Sequence, residues 1–250
     1  MSGLIWLDPD TPIPDPDHAM PGGLLAAGTD LSVARLTEAY SKGVFPWFNE
    51  GDPVLWWSPD PRMVLTCGDF KISRSLGKKL EQIAHAENEP QAAVTVTTDL
   101  AFGQVIRACA APRSSQAGTW ISPLIIEAYE QWHDAGQVHS VETWVDGKLV
   151  GGLYGVCLGG FFFGESMFSR SPDSSKIALA YLVRFLESNG IAHLDCQQDT
   201  PHLASLGAAT MSRQDFLGLL QPALKKATPR WRAGQLLYNG SLRVQNVRGT

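Results

Sequence analysis

Residues 138–168 read VHSVETWVDGKLVGGLYGVCLGGFFFGESMF. The stretch is rich in β-branched and aromatic residues, and two turn signals divide it: Asp146-Gly147, a favoured two-residue hairpin turn, and Gly159-Gly160. The pattern predicts three strands, at 138–145, 149–158 and 161–168, joined as an antiparallel meander. Downstream, Asp173 or Ser174 opens a helix with Ala178, Tyr181, Leu182 and Phe185 on its inner face and Gly190 at its end. A short strand follows at 191–197. Thr200-Pro201 opens one more helix, and Ser212 with Asp215 makes a capping-box pattern for the last.

Upstream of the meander, Ser122-Pro123 starts a helix whose buried stripe is Ile125, Ala128, Tyr129 and Trp132. Before it, Val94, Val96 and Thr98 alternate as a strand, and Asp99 is placed to cap a helix carrying Phe102, Val105, Ile106 and Cys109. Another helix is expected between Ser32 and Gly43. Residues 44–63, VFPWFNEGDPVLWWSPDPRM, show no helical period and are expected to be irregular, with their tryptophans buried or lining a pocket. The first 23 residues are rich in proline and read as an extended arm. The order of elements predicts an α+β protein: a small N-terminal domain over 1–63, and a larger domain over 64–250 with a mainly antiparallel sheet flanked by helices and a basic C-terminal tail.

The chain has 250 residues, 44% hydrophobic and 18% charged, an ordinary globular balance that needs no disulfide or metal staple. No apolar run is long enough to span a bilayer, and MSGLIWLDPD lacks the basic and apolar regions of a signal peptide. The expected compartment is the cytoplasm. Cys67, Cys109, Cys157 and Cys196 are scattered, which fits reduced thiols rather than a disulfide framework or zinc knuckle. The net charge of −5 is unevenly spread. Residues 1–60 carry nine acids and two bases, whereas 225–250 carry Lys225, Lys226, Arg230, Arg232, Arg243 and Arg248 and no acid. Lys71, Arg74, Lys78 and Lys79 form a second basic cluster, spaced like one face of a helix. Either set could meet phosphates or be solvated and bind nothing.

Side chains alternate along a strand, so His193, Asp195 and Gln197 are expected on one face and Ala192, Leu194 and Cys196 on the other. Asp195 and Gln197 could hold and orient an amine. The same pattern would suit a polar pair satisfied by neighbouring loops. Glu165, following three phenylalanines, is expected to be paired or functional unless it sits at a wetted rim. Met167 suits either a core or a pocket that accepts several apolar groups. There is no nucleophile elbow, no phosphate-binding glycine loop and no cluster with metal-ligand spacing.

GLLAAGTDLS (23–32), GVFPWFNEGDPVLWWSPDPRMVL (43–65), GTWI (118–121), VHSVETW (138–144), LVGGLYGV (149–156), GESMFS (164–169), SSKIAL (174–179), DCQ (195–197) and HLASLGA (202–208) together resemble the leucyl/phenylalanyl-tRNA–protein transferases. The resemblance covers about residues 20–215. It implies a GNAT-like acyltransferase fold for the larger domain. It also implies transfer of leucine or phenylalanine, with methionine weaker, from aminoacyl-tRNA to proteins that begin with Arg or Lys, which marks them for degradation. The partners would be aminoacyl-tRNA and such acceptor proteins, with no membrane and no DNA, and no cofactor or metal is implied. Carried over by motif, Asp195, Gln197 and Glu165 would be catalytic, and Trp47, Trp120, Phe162 and Met167 would form the donor pocket. Asp195→Ala and Gln197→Ala are both expected to fold. Lys71, Arg74, Lys78 and Lys79 are favoured over the tail as the tRNA surface. Two other functions fit the residues: an acyltransferase of the same fold with another donor, such as acyl-CoA, or a non-enzymatic binder of tRNA ends or basic N-termini. SPDSSK (171–176), without glycine at the start of the helix after the third strand, weighs against acyl-CoA.

Overall fold

The computed structural model describes residues 4–112 and 120–244. In chain order the elements are β1 (Ile5–Leu7), β2 (Leu24–Gly28), α1 (Val33–Ser41), β3 (Phe45–Pro46), β4 (Val54–Trp57), β5 (Arg62–Thr66), α2 (Arg74–Ala86), β6 (Val94–Thr98), α3 (Phe102–Ala110) and α4 (Pro123–Asp134). They continue with β7 (Val138–Val145), β8 (Lys148–Leu158), β9 (Phe161–Ser169), α5 (Ser174–Ser188), β10 (His193–Gln197), α6 (Pro201–Ser205), β11 (Ala209–Met211), α7 (Arg213–Leu224), β12 (Gly234–Leu236) and β13 (Leu242–Val244).

Two sheets result. The smaller has the order β1-β2-β4-β3, and the larger the order β11-β5-β10-β9-β8-β7-β6-β12-β13. Every neighbouring pair in the larger sheet is antiparallel except β9 and β10. The expected α+β class with a mainly antiparallel sheet is what forms. The meander β7–β8–β9 matches the sequence pattern, and its first turn has positive φ at both Asp146 and Gly147, as a tight hairpin requires.

Alternation along the meander sends side chains to two cores. Tyr154, Val156, Phe161 and Phe163 pack with α3 and α4, through Val105, Ile106, Tyr129 and Trp132. Leu153, Cys157 and Phe162 pack with α5 and α2, through Leu182, Leu186 and Leu80. Truncating a fully buried aromatic such as Trp132 costs about 3–5 kcal/mol, so these two layers set the position of the sheet. Gly151 lets α5 approach: a Cβ there would collide with the Ser174 side chain.

Three local expectations are corrected. Residues 44–63 are not irregular throughout, because β3 and β4 lie within them and Trp56 of β4 is fully buried in the core. Asp99 does not cap α3, whose N-cap position is Ala101 with no side-chain cap. It adopts φ 56 and turns its carboxylate to Ser140 N and His139 Nδ1 instead. The C-terminal region is not simply a tail, since β12 and β13 form a hairpin that extends the large sheet from β6. Arg248 lies outside the described residues.

Candidate active site

The parallel strands β9 and β10 pair at only two positions, Leu194 with Phe162 and Asp195 with Phe163. Both strands are irregular just beyond. On β9, Gly155 of β8 faces Gly164 while Tyr154 faces Ser166, so Glu165 is an extra, bulged residue. A Cβ at Gly155 would strike the Phe163 carbonyl oxygen and the Phe162 ring, so glycine is required opposite the bulge. On β10, Asp195 faces Val64 while Gln197 faces Met63, leaving Cys196 extra and Gln197 at φ 59.

The bulge at Glu165 reverses the alternation after it. Phe168 joins the layer of Phe161 and Phe163, and Met167 joins that of Phe162. The expected common face of Asp195 and Gln197 is corrected for the same reason on β10. The Asp195 side chain is fully buried, whereas Gln197 is half-buried and lines a cavity.

That cavity measures about 410 Å³ and opens where the two strands stop pairing. Trp47, Trp120, Phe162 and Met167 all line it, together with Glu165 and Gln197. Trp47 is 40% exposed and meets Trp57 edge to face, with Trp57 Nε1 donating to the Trp47 carbonyl. Gly118 and Thr119 of the GTWI stretch lie outside the described residues.

Behind the cavity wall is a connected polar network. Arg62 Nε and Nη2 donate to Asp195 Oδ1 and Oδ2 at 2.8 and 2.7 Å. Both side chains are almost completely buried. The guanidinium is also held between the rings of Phe45 and Phe216, at 4.8 and 4.5 Å from their centroids, and donates to the Gly43 carbonyl. Asp195 Oδ1 accepts from the Gln197 backbone N–H at 2.9 Å, which fixes the strained turn of the chain there. Gln197 Nε2 donates to Glu165 Oε1 at 3.1 Å. Glu165 Oε1 also accepts from Tyr40 Oη at 2.7 Å, and Oε2 from Tyr129 Oη at 3.4 Å. The two tyrosine hydroxyls are 2.6 Å apart.

These contacts set the charge states. Burial pushes the Glu165 carboxyl up to about 7; the Tyr40 hydrogen bond pulls it down and the nearby Asp195 charge pushes it up. Burial and the Glu165 charge hold the Tyr40 and Tyr129 phenols well above their usual range. Glu165 therefore changes charge near neutrality while its two phenolic partners stay protonated.

Sequence patterns missed Arg62 and the joint role of Tyr40 and Tyr129. An arginine leading directly into Met63-Val64-Leu65 was the available signal, because a cation in so apolar a strand needs a partner. The expectation that Asp195→Ala folds took no account of this pair: removing Asp195 strands a buried guanidinium, a cost that bears on that variant's stability. Lys71 precedes α2, and Arg74, Lys78 and Lys79 lie on it. Lys71, Arg74 and Lys78 are exposed, but Lys79 is bound by Asp173 Oδ2 at 2.9 Å and by the Pro172 carbonyl. Among the described residues no group of three His, Cys, Asp or Glu could hold a metal ion, and no helix is long and apolar enough to cross a membrane.

Comparison with known families adds the remaining facts. A model described as leucyl/phenylalanyl-tRNA protein transferase matches residues 64–221, and one for the N-terminal domain of the same family matches 29–60. A leucyl/phenylalanyl-tRNA–protein transferase from Bordetella petrii is 57% identical over 241 residues, covering 96% of this chain and 95% of its own. Proteins of the same name from Nitrosomonas eutropha and Chromobacterium violaceum are 57% and 49% identical, covering 84% and 90% of this chain and 87% and 93% of theirs. Among solved structures, a GCN5-related N-acetyltransferase from Kribbella flavida gives a TM-score of 0.36 at 13% identity, covering 69% of this chain and 58% of its own. L-PGS from Bacillus licheniformis gives 0.35 at 13% identity, covering 69% and 51%. The structural likenesses are distant, and the family rests on the sequence relatives.

Proposed function

This chain belongs to the leucyl/phenylalanyl-tRNA protein transferase family, the aminoacyltransferases of the N-end rule pathway, and from that premise we propose how its own residues carry out the transfer. The donor is leucyl- or phenylalanyl-tRNA, the acceptor is a protein beginning with Arg or Lys, and the reaction takes place in the cytoplasm. The observation that carries this reading is the convergence of four apolar side chains, Trp47, Trp120, Phe162 and Met167, with Glu165 and Gln197 around one cavity. The apolar side takes the donor's Leu or Phe side chain, which sets its ester carbonyl beside Gln197.

The chemistry asks little of the protein. The aminoacyl ester is already activated, and an α-amine with a pKa near 8 is partly neutral at neutral pH. The amine nitrogen attacks the ester carbonyl carbon, the new C–N bond forms, and the ribose oxygen leaves with a proton lost by the amine. Gln197 Nε2 is committed to Glu165, so its Oε1 is the atom available to accept an N–H from the incoming amine. Holding the two reactants in this geometry supplies most of the acceleration. Asp195 and Arg62 act one step back, through the Gln197 backbone, as positioning residues. The tRNA phosphates meet Lys71, Arg74 and Lys78, while Lys79 is held by Asp173.

A transfer assay tests this. The protein is incubated with leucyl- or phenylalanyl-tRNA and a peptide beginning with Arg, with acetyl-CoA as the donor in a parallel arm. The expected product carries one added N-terminal Leu or Phe. Acetylated peptide, or no addition while the charged tRNA persists, would overturn the proposal.

A further inference from the structure

A second cavity, about 890 Å³, lies at the turn end of the β8–β9 hairpin, where Cys157, Leu158 and Gly159 line it. Asp99, His133, His139, Thr228, Arg230 and Arg232 are among its lining residues. Its wall is prepared in detail. Asp99 stands at φ 56, outside any helix or strand, with its Oδ1 accepting from Ser140 N at 2.9 Å and its Oδ2 2.8 Å from His139 Nδ1. The His139 ring stacks on Trp231 with centroids 4.2 Å apart and planes 6° from parallel. His139 is only 4% exposed, yet its Nε2 has no hydrogen-bond partner. An unpartnered buried polar atom is costly, and native structures keep few of them. With Asp99 accepting from Nδ1–H, the neutral ring presents Nε2 as an acceptor.

The rim has the opposite character. Arg230 and Arg232 line the cavity, Lys225 and Lys226 precede them in the chain, all four are exposed, and none of them makes an ion pair among the described residues. This concentration of unpaired cations beside a fixed acceptor calls for a ligand that brings both an anion and a hydroxyl. The cavity is also close to the catalytic one. Trp231 lies 5.9 Å from Phe162, which lines the transfer cavity, so a single aromatic pair separates the two.

We propose that this second cavity binds a ribose–phosphate unit, with its phosphate on Arg230 and Arg232 and a ribose hydroxyl donating to His139 Nε2. The inference rests on the tRNA-dependent function proposed above, because a second RNA-binding point beside the transfer cavity would hold the long donor in place. The Asp99–His139 pair then distinguishes RNA from DNA, since only RNA carries the 2′-hydroxyl.

The test measures binding of the full chain to an RNA hairpin with the acceptor-stem sequence and to its DNA counterpart, over a range of salt concentrations. Replacing both arginines, Arg230→Gln with Arg232→Gln, should flatten the log K against log[salt] slope by slightly less than one unit for the RNA, since both hold one phosphate. Wild type should prefer the RNA hairpin by roughly five- to tenfold, consistent with one hydrogen bond, and His139→Phe, which keeps a ring against Trp231, should abolish that preference. Titration with AMP separates the two sources of the ligand. Binding of AMP that is abolished in the arginine double variant, with RNA slopes unchanged, assigns the cavity to a free mononucleotide. Unchanged RNA slopes, no RNA preference and no AMP binding would overturn the site. Transfer from a minimal aminoacyl-adenosine donor to an Arg-starting peptide is measured alongside. If it proceeds normally while the site tests fail, only this inference falls; if it is absent in wild type, the proposed function falls instead.

Discussion

Gln197 donates from Nε2 to Glu165 Oε1 across 3.1 Å, so a side-chain bond links β9 and β10 just past their last backbone pair. The amide is thus held at both ends, by Glu165 through its side chain and by Asp195 through its backbone N–H. Gln197→Ala should fold and lose about 10²-fold or more in kcat, in line with the loss of a positioned group. Steady-state transfer to an Arg-starting peptide measures this. A variant within about threefold of wild type would remove Gln197 from the mechanism.

Asp195→Ala should behave differently, because it leaves Arg62 charged and buried. Removing one partner of such a pair costs about 3–5 kcal/mol, whereas replacing both with apolar residues is often close to neutral. Urea unfolding should show the large loss for Asp195→Ala and recovery of most of it in Arg62→Leu/Asp195→Leu. Transfer should stay low in the double variant, since Gln197 N–H has lost its acceptor. A destabilised single variant with wild-type activity would show that Asp195 serves the fold alone.

Two glutamates tie stability to pH. Burial pushes both Glu165 and Glu142 from 4.5 up to about 7. Glu142 is fully buried and accepts from Ser140 Oγ and Thr97 Oγ1, each at 2.5 Å. The folded chain therefore holds these protons more tightly than the unfolded chain does. Their contribution to stability is complete below about pH 4.5 and is lost as pH rises through about 7. For Glu142 the loss is on the order of 3 kcal/mol. Unfolding measured at about pH 5 and pH 8 should show less difference in Glu142→Gln than in wild type, and Glu165→Gln should reduce it too.

Met167 lines the cavity proposed for the donor, in the same layer as Phe162, so filling that space should discriminate against the larger donor. Met167→Phe should lower the ratio of Phe to Leu transfer by about tenfold, the scale of a methylene-sized steric penalty of roughly 1–3 kcal/mol. Competition between the two charged tRNAs reads the ratio directly. An unchanged ratio at full activity would place Met167 away from the donor.

On α2 the bases divide into two kinds. Arg74→Gln with Lys78→Gln should weaken tRNA binding and flatten its salt slope by slightly less than one unit for each phosphate that is no longer neutralised. Lys79→Gln should leave the slope unchanged and cost at most about 1 kcal/mol of stability, because it removes only a partly exposed pair with Asp173. A slope change for Lys79→Gln alone would put that residue on the tRNA.

The meander could be read from sequence because its turns and its β-branched and aromatic runs are local signals. The helices that start at Ser32 and Ser122 could be read for the same reason, since both serines do cap, accepting from Arg35 N and Ile125 N. The site residues were visible as motifs, but the geometry joining them was not. A bulge such as Glu165 leaves no compositional mark, yet it shifts every later side chain to the opposite face, so strict alternation puts Met167 among the wrong neighbours. The short strands β1, β2, β11 and β12 are set by pairing with distant segments, which no short window of the sequence contains, and β13 follows only because β12 is already placed on β6. Arg62 and Asp195 are 133 positions apart, and only the folded sheet shows that each depends on the other.

Arg62 lies before residue 64, the point where the larger family match begins, although the carboxylate it neutralises lies far inside that match. Tyr40, which binds Glu165, also comes from the earlier part of the chain. A fragment beginning at residue 64 would have to bury Asp195 without a counter-ion and hold Glu165 with one fewer donor. An exchange of the two portions therefore succeeds only where the incoming earlier portion supplies a guanidinium and a phenol at these places. Any graft or split made at that point must carry the guanidinium, the Phe45 ring and the tyrosine across to the portion that already holds Phe216, or the recipient inherits a cavity lined with the right side chains over an uncompensated buried carboxylate.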